Sequence, residues 1–229
     1  MNLLKEKLSA SPLLPRVVPF AVFVLLTALQ GKLGPGSQFW IYVAKTVVGA
    51  WMLWAIRDLL PEMRWNFSAE AIIAGVIVFL VWVGLDPSYP KLNQFFGNEP
   101  KPGAIWNPFA FYGASSSWAW FFAIARIVGS AIVVPPLEEV FYRSFLYRYI
   151  ARANFTEVPL NHLDWKAFVV TVAIFGLAHN EWLAGFICAA VYQGLVLWKG
   201  RLGDAITAHA ITNLLLGLWV VWKGAWNFW

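Results

Sequence analysis

Apolar residues run along this chain in long blocks separated by short polar turns. The first block is Val17–Leu29, preceded by Arg16 and closed by the turn residues Gly31, Gly34, Pro35 and Gly36. Further blocks predict helices over Phe39–Leu60, Ala69–Leu85, Ser117–Val134, Glu138–Ala153, Asp164–His179, Glu181–Trp198 and Gly203–Trp222. Several approach or exceed the roughly 18 apolar residues that cross a bilayer. The first block reads as a retained helix, because no small-residue cleavage site follows it. Met1–Pro15, with Lys5 and Lys7, reads as interfacial, and the C-terminal residues Trp226–Trp229 as a short aromatic tail. The longest polar stretch is Asp86–Ser116, which holds Pro87, Pro90, Pro100, Pro102 and Pro108 and three glycines. It predicts a loop, and loops of that length commonly carry function.

Composition sharpens this picture. The chain has 229 residues, 60% hydrophobic and 13% charged, too apolar for a soluble domain of this size. The expectation is an all-α, polytopic membrane protein: a bundle of about eight transmembrane helices forming one domain over residues 1–229. Its 15 tryptophans suit the interfacial belts of such a protein. The formal charge of +5 fits contact with membrane lipid; no arginine-rich tract points to nucleic acid. A single cysteine, Cys188, excludes an intramolecular disulfide and a cysteine-based zinc cluster. If the predicted helix Glu138–Ala153 lies partly in the interface, Arg148, Arg152, Lys166, Lys199 and Arg201 share a side with the N-terminus. The positive-inside rule prefers that arrangement.

Charged and polar residues inside apolar blocks are costly and usually functional. The densest cluster is Pro135-Pro136-Leu137-Glu138-Glu139-Val140-Phe141-Tyr142-Arg143. The prolines suit the first turn of a helix, where missing N–H groups cost nothing. Glu139 and Arg143, four apart, share a face and can pair, while Glu138 lies about 100° round the helix and is free to point elsewhere. A second cluster, Phe175 to Asn180, contains His179; a third places His209 and Asn213 four apart on one helix face. Lys45 and Arg126 also fall inside predicted helices. Arg126 needs a partner, for which Glu139 and Asp204 are the candidates, and Lys45 either reaches an interface or faces the bundle. His162 sits in a polar connection and reads as a loop residue.

This inventory suits amide hydrolysis. A carboxylate in a dry site can act as general base on water. One histidine can orient that water. A second histidine and an asparagine amide can donate to the oxyanion that forms at the attacked carbonyl. Two histidines and a carboxylate (Glu138, His179 and His209) are also a standard zinc set with an open position, and spacing alone leaves both chemistries open. Glutamate and histidine chains also build proton relays, so a proton-coupled transporter is a competing class, although no internal repeat supports it. A third class is a non-catalytic scaffold or immunity protein that needs the cluster only for structure.

The three motifs together, Glu138-Glu139-x-x-x-Arg143, Phe175-x-x-x-His179 and His209-x-x-x-Asn213, resemble the CAAX protease and bacteriocin-processing family. That family includes the CAAX prenyl endopeptidases and the abortive-infection-like membrane proteins of bacteria. The resemblance covers a motif-bearing core over residues 135–222; the N-terminal helices match in general character only. It implies an intramembrane endopeptidase, multi-pass, in a bacterial inner membrane, with its site in a cavity. Glu138 and His179 would activate water, His209 and Asn213 would form the oxyanion hole, and Glu139 with Arg143 would hold the site together. Members of the family are described both as metalloproteases and as metal-independent glutamate proteases; the expectation here is no cofactor, with zinc as the alternative. The substrate would be a peptide or protein, lipidated or membrane-anchored.

Overall fold

The computed structural model describes residues 2–97 and 105–229. Pro100, Pro102 and Gly103, part of the expected Asp86–Ser116 loop, lie outside them. Among the described residues the protein is entirely helical. A short helix, Asn2–Ser9, leads into α1 (Leu14–Thr27), α2 (Ser37–Ile56) and α3 (Ala69–Leu85). After the loop come α4 (Ser117–Ala151), α5 (Trp165–Leu177), α6 (Trp182–Lys199) and α7 (Gly203–Lys223). Helices α2, α4, α6 and α7, and the stretch Ala69–Phe95 that begins with α3, are long and apolar enough to cross a membrane; α1 and α5 are apolar but shorter.

The eight helices expected from the sequence are not found, because two of them are one. Residues Ser117–Ala151 form a single helix of 35 residues. At 1.5 Å per residue it is about 50 Å long, well beyond a hydrocarbon core of roughly 30 Å. It runs straight through Pro135 and Pro136, which were expected to start a new helix. Proline lacks the N–H that an α-helix needs, and its ring crowds the carbonyl four residues back. The helix answers by widening: Gly129–Val133 is a π-helical turn, and the Val134 N–H donates to Gly129 O, five residues back. In that register Ser130 O would accept from the N–H that Pro135 does not have. It accepts instead from Asn213 Nδ2, at 2.9 Å, on α7. A second π-helical stretch, Val140–Leu146, follows the two glutamates.

α7 packs along α3, and small residues let the two backbones approach closely. Thr212 Oγ1 donates to Gly75 O at 2.8 Å. A Cβ at Gly75 would lie 2.6 Å from Ala208 O and 2.8 Å from Ile211 Cβ. Such small-residue contacts are the usual glue between membrane helices. At the N-terminal end of α3, Ser68 caps the helix by accepting from Ala71 N and also donates to Asp204 Oδ1 at the start of α7. Lys45 faces the bundle, one of its two expected placements: Nζ donates to Thr27 Oγ1 and Gln30 Oε1, both at 2.9 Å, tying α2 to α1 and the turn after it.

Gly75→Ala is expected to force α3 from α7 at a point where the nearest opposing atom is the backbone carbonyl oxygen of Ala208. Overpacking of this kind typically costs about 1–3 kcal/mol. Thermal melts of the detergent-solubilised variant should show a lower Tm than wild type, whereas Gly84→Ala, where a Cβ meets nothing within 4 Å, should leave it unchanged.

Candidate active site

The two glutamates of α4 have different fates, as their positions on the helix predict. Glu139 is fully buried. Its Oε1 accepts from His209 Nδ1 at 3.0 Å, and its Oε2 lies 3.2 Å from Arg143 Nε. The second contact is close in distance but poorly aligned, so it is an ion pair without a hydrogen bond. Arg143, also buried, donates Nη2 to Ala189 O at 3.4 Å and lies over the Phe175 ring, 4.7 Å from its centre. Glu139 thus links α4 to α7, and Arg143 links α4 to α6 and α5. Glu138 turns the other way. Its Oε2 is buried and has no hydrogen-bond partner among the described residues, and the side chain lines a cavity of about 240 Å³.

His179, His209, Asn213 and Ser130 line the same cavity. His179 follows the end of α5. Its Nδ1 is 2.7 Å from Phe175 O. A carbonyl only accepts, so Nδ1 carries the proton, and neutral His179 keeps an unprotonated Nε2. The ring is held by Phe175, at 4.7 Å between centres, and by the Trp82 edge at 5.6 Å. His209 stacks on Tyr192 at 5.1 Å. Its Nδ1–H is committed to the Glu139 carboxylate, which leaves Nε2 as the ring nitrogen that Glu139 does not engage. Asn213 commits one N–H to Ser130 O and has a second to give.

All four residues expected to do chemistry therefore meet at one cavity, and Glu139 and Arg143 sit behind it. The cavity also has walls that the motifs do not reveal: Tyr42, Trp82, Arg126, Glu181 and Trp229. Burial raises Glu181 above the usual carboxylate range, and nearby Asp86 adds to this; the backbone, Asn180 and His179 oppose it. Arg126 pairs with neither candidate partner. Glu139 is taken by His209 and Arg143, and Asp204 by Arg201 and Ser68, each at 2.5 Å.

A family model described as type II CAAX prenyl endopeptidase, Rce1-like, matches residues 119–215, which contain all three motifs. This segment is Rce1-like. No curated protein and no solved structure matches the chain. The matched residues run from the first turn of α4 to the middle of α7, so they enclose the glutamates, both cavity histidines and Asn213 but leave α1, α2 and α3 outside.

Among the described residues no three His, Cys, Asp or Glu side chains are gathered closely enough to hold a metal ion. Glu138, His179 and His209 share the cavity but are not among such a group.

The division between the glutamates predicts opposite phenotypes. Glu139→Gln leaves buried Arg143 without its ionic partner, a loss of about 3–5 kcal/mol for a buried pair. Its yield and Tm should fall together. Glu138→Gln removes a charge that has no partner, and its Tm should match or exceed that of wild type.

Proposed function

We propose that the protein is a glutamate-type intramembrane endopeptidase that hydrolyses a peptide bond with a water activated by Glu138 and His179. The observation that carries this reading is the pair of unused acceptors in one cavity. Glu138 Oε2 is buried without a partner, and His179 Nε2 is left free by the Phe175 contact. A water has two protons to donate, and both atoms are acceptors on residues that line the same cavity. A purely structural carboxylate at this depth would be expected to have found a donor, as Glu139 has.

The reaction follows from these roles. Glu138 takes a proton as the water oxygen adds to the peptide carbonyl carbon. The charge that develops on the carbonyl oxygen is met by the second N–H of Asn213 and, when its Nε2 carries a proton, by His209. Glu139 orients the ring through the opposite nitrogen. When the C–N bond breaks, the proton held by Glu138 passes to the leaving nitrogen, giving a carboxylic acid and an amine. Arg143 touches none of these atoms; it holds Glu139, which in turn orients His209. The substrate we assign is a segment presented from the membrane, lipidated or membrane-anchored, in keeping with the family's description.

Detergent-purified variants assayed with a fluorescent farnesylated peptide test the scheme. General-base assistance is worth about 10²–10⁴-fold, so Glu138→Gln should lose turnover on that scale while still binding the peptide. Wild-type turnover in Glu138→Gln would make the assignment untenable and favour a structural role for the cluster.

Asn213→Ala should show two effects at once. Removing an oxyanion donor typically slows the reaction about 10²–10³-fold. Leaving Ser130 O without a donor should also lower Tm, since an unsatisfied buried acceptor costs about 1–3 kcal/mol. Chelators should leave wild-type turnover intact; loss on stripping and recovery with zinc would replace the metal-free scheme.

A further inference from the structure

Arg126 is the one cationic side chain that lines the cavity among the described residues, and the hydrolytic scheme leaves it without work. Its guanidinium lies among three aromatic rings, 4.4 Å from the centre of Trp106, 5.1 Å from Tyr42 and 5.2 Å from Trp229. Among the described residues its side-chain nitrogens have no hydrogen-bonding or ion-pairing partner; only its backbone carbonyl is engaged, accepting from Tyr42 Oη at 3.2 Å. The other cation nearby, Lys45, is already bound by Thr27 and Gln30. Arginine stays charged in proteins, and a charge in an apolar interior is costly unless paired. Cation–π contacts recover part of that cost when desolvated, but they leave five N–H donors unused. The rings do something else as well. Packed within 4.4–5.2 Å of the ring centres, they restrict the guanidinium, so less freedom is lost when a planar, doubly accepting anion docks on it.

The helix geometry aims Arg126 and Glu138 into one space. In a regular α-helix residues twelve apart point about 120° away from each other. The π-helical turn Gly129–Val133 lies between them and adds about one residue, which takes back about 100° of that angle. Both side chains consequently line the same cavity. Along the axis they are about 18 Å apart, a span that an extended peptide covers in about five residues.

We propose that caged Arg126 is a substrate-binding residue that takes a carboxylate of the peptide by a two-pronged hydrogen-bonded pair, within about five residues of the bond attacked at Glu138. This rests on the endopeptidase reading for the identity of the peptide, but not for the binding itself. The carboxylate is a terminal one or that of an acidic side chain.

The test uses three fluorescent farnesylated tetrapeptides: Cys-Val-Ile-Met as the free acid, the same as the amide, and Cys-Val-Ile-Glu as the amide. Binding is measured to the Glu138→Gln protein, so that hydrolysis does not interfere, and turnover to wild type. The free acid should bind Glu138→Gln at least tenfold more tightly than its amide. Adding Arg126→Gln should weaken the acid alone and bring the ratio near one. Arg126→Lys, which keeps the charge but loses the fork, should fall between them. In the active enzyme Arg126→Gln should raise KM for the acid about tenfold or more and leave kcat within a few-fold. Recovery of tight binding by the glutamate-ended amide supports the proposal with any carboxylate as ligand; failure to recover supports it with a terminal one. Equal binding of acid and amide by the Glu138→Gln protein overturns it, and so does an acid preference that survives Arg126→Gln. An Arg126-dependent acid preference in a protein with no turnover would remove the endopeptidase reading and leave this site standing.

Discussion

The buried carboxylate of Glu139 is the constraint on which the rest of the site depends. It has no exposed surface, and a charge in that position persists only with partners. Arg143 supplies one from the same helix and His209 the other from α7. Because the second partner lies on another helix, satisfying the charge also sets where α7 stands against α4. Arg143, held by Glu139, then reaches Ala189 on α6 and covers Phe175 on α5. One carboxylate thereby fixes four helices around the cavity, and its neighbour Glu138 is left facing inward.

The double proline adds a second constraint of the same kind. It takes a donor from the backbone of α4 at the depth of the cavity, where water is not a dependable substitute. Asn213 supplies the missing N–H to Ser130, four residues after His209 on α7. The two cross-helix bonds, His209 to Glu139 and Asn213 to Ser130, therefore lie along one face of α7 and lock its register. Helix continuity, the π-helical turn and the position of the proposed oxyanion donors have a common cause: two prolines in a helix that does not stop.

Much of this was legible in the sequence. Spacing of four placed Glu139 with Arg143 and put His209 and Asn213 on one face, and apolar block length located the other helices to within a few residues. The split between the glutamates followed from their 100° separation. What was not legible depends on a donor from elsewhere in the chain. Local rules start a helix at Pro135, and only the amide of Asn213, some eighty residues later, explains why α4 continues. The same holds for Arg126. A search for acidic partners named Glu139 and Asp204, but both are taken, and the groups that surround Arg126 are rings from α2, the loop and the C-terminal tail. Aromatic partners carry no spacing signal, so the cage emerges only from the fold.

The central claim is that Glu138 activates water for peptide hydrolysis, and the most direct measurement is made in cells. Membrane-derived peptides from cells expressing wild-type protein are compared with those from cells expressing Glu138→Gln at equal abundance, with newly formed chain ends identified by mass spectrometry. The account predicts a defined set of cleaved ends that is present with wild type and absent with Glu138→Gln. Identical peptide sets from the two, with both proteins folded in the membrane, would contradict it.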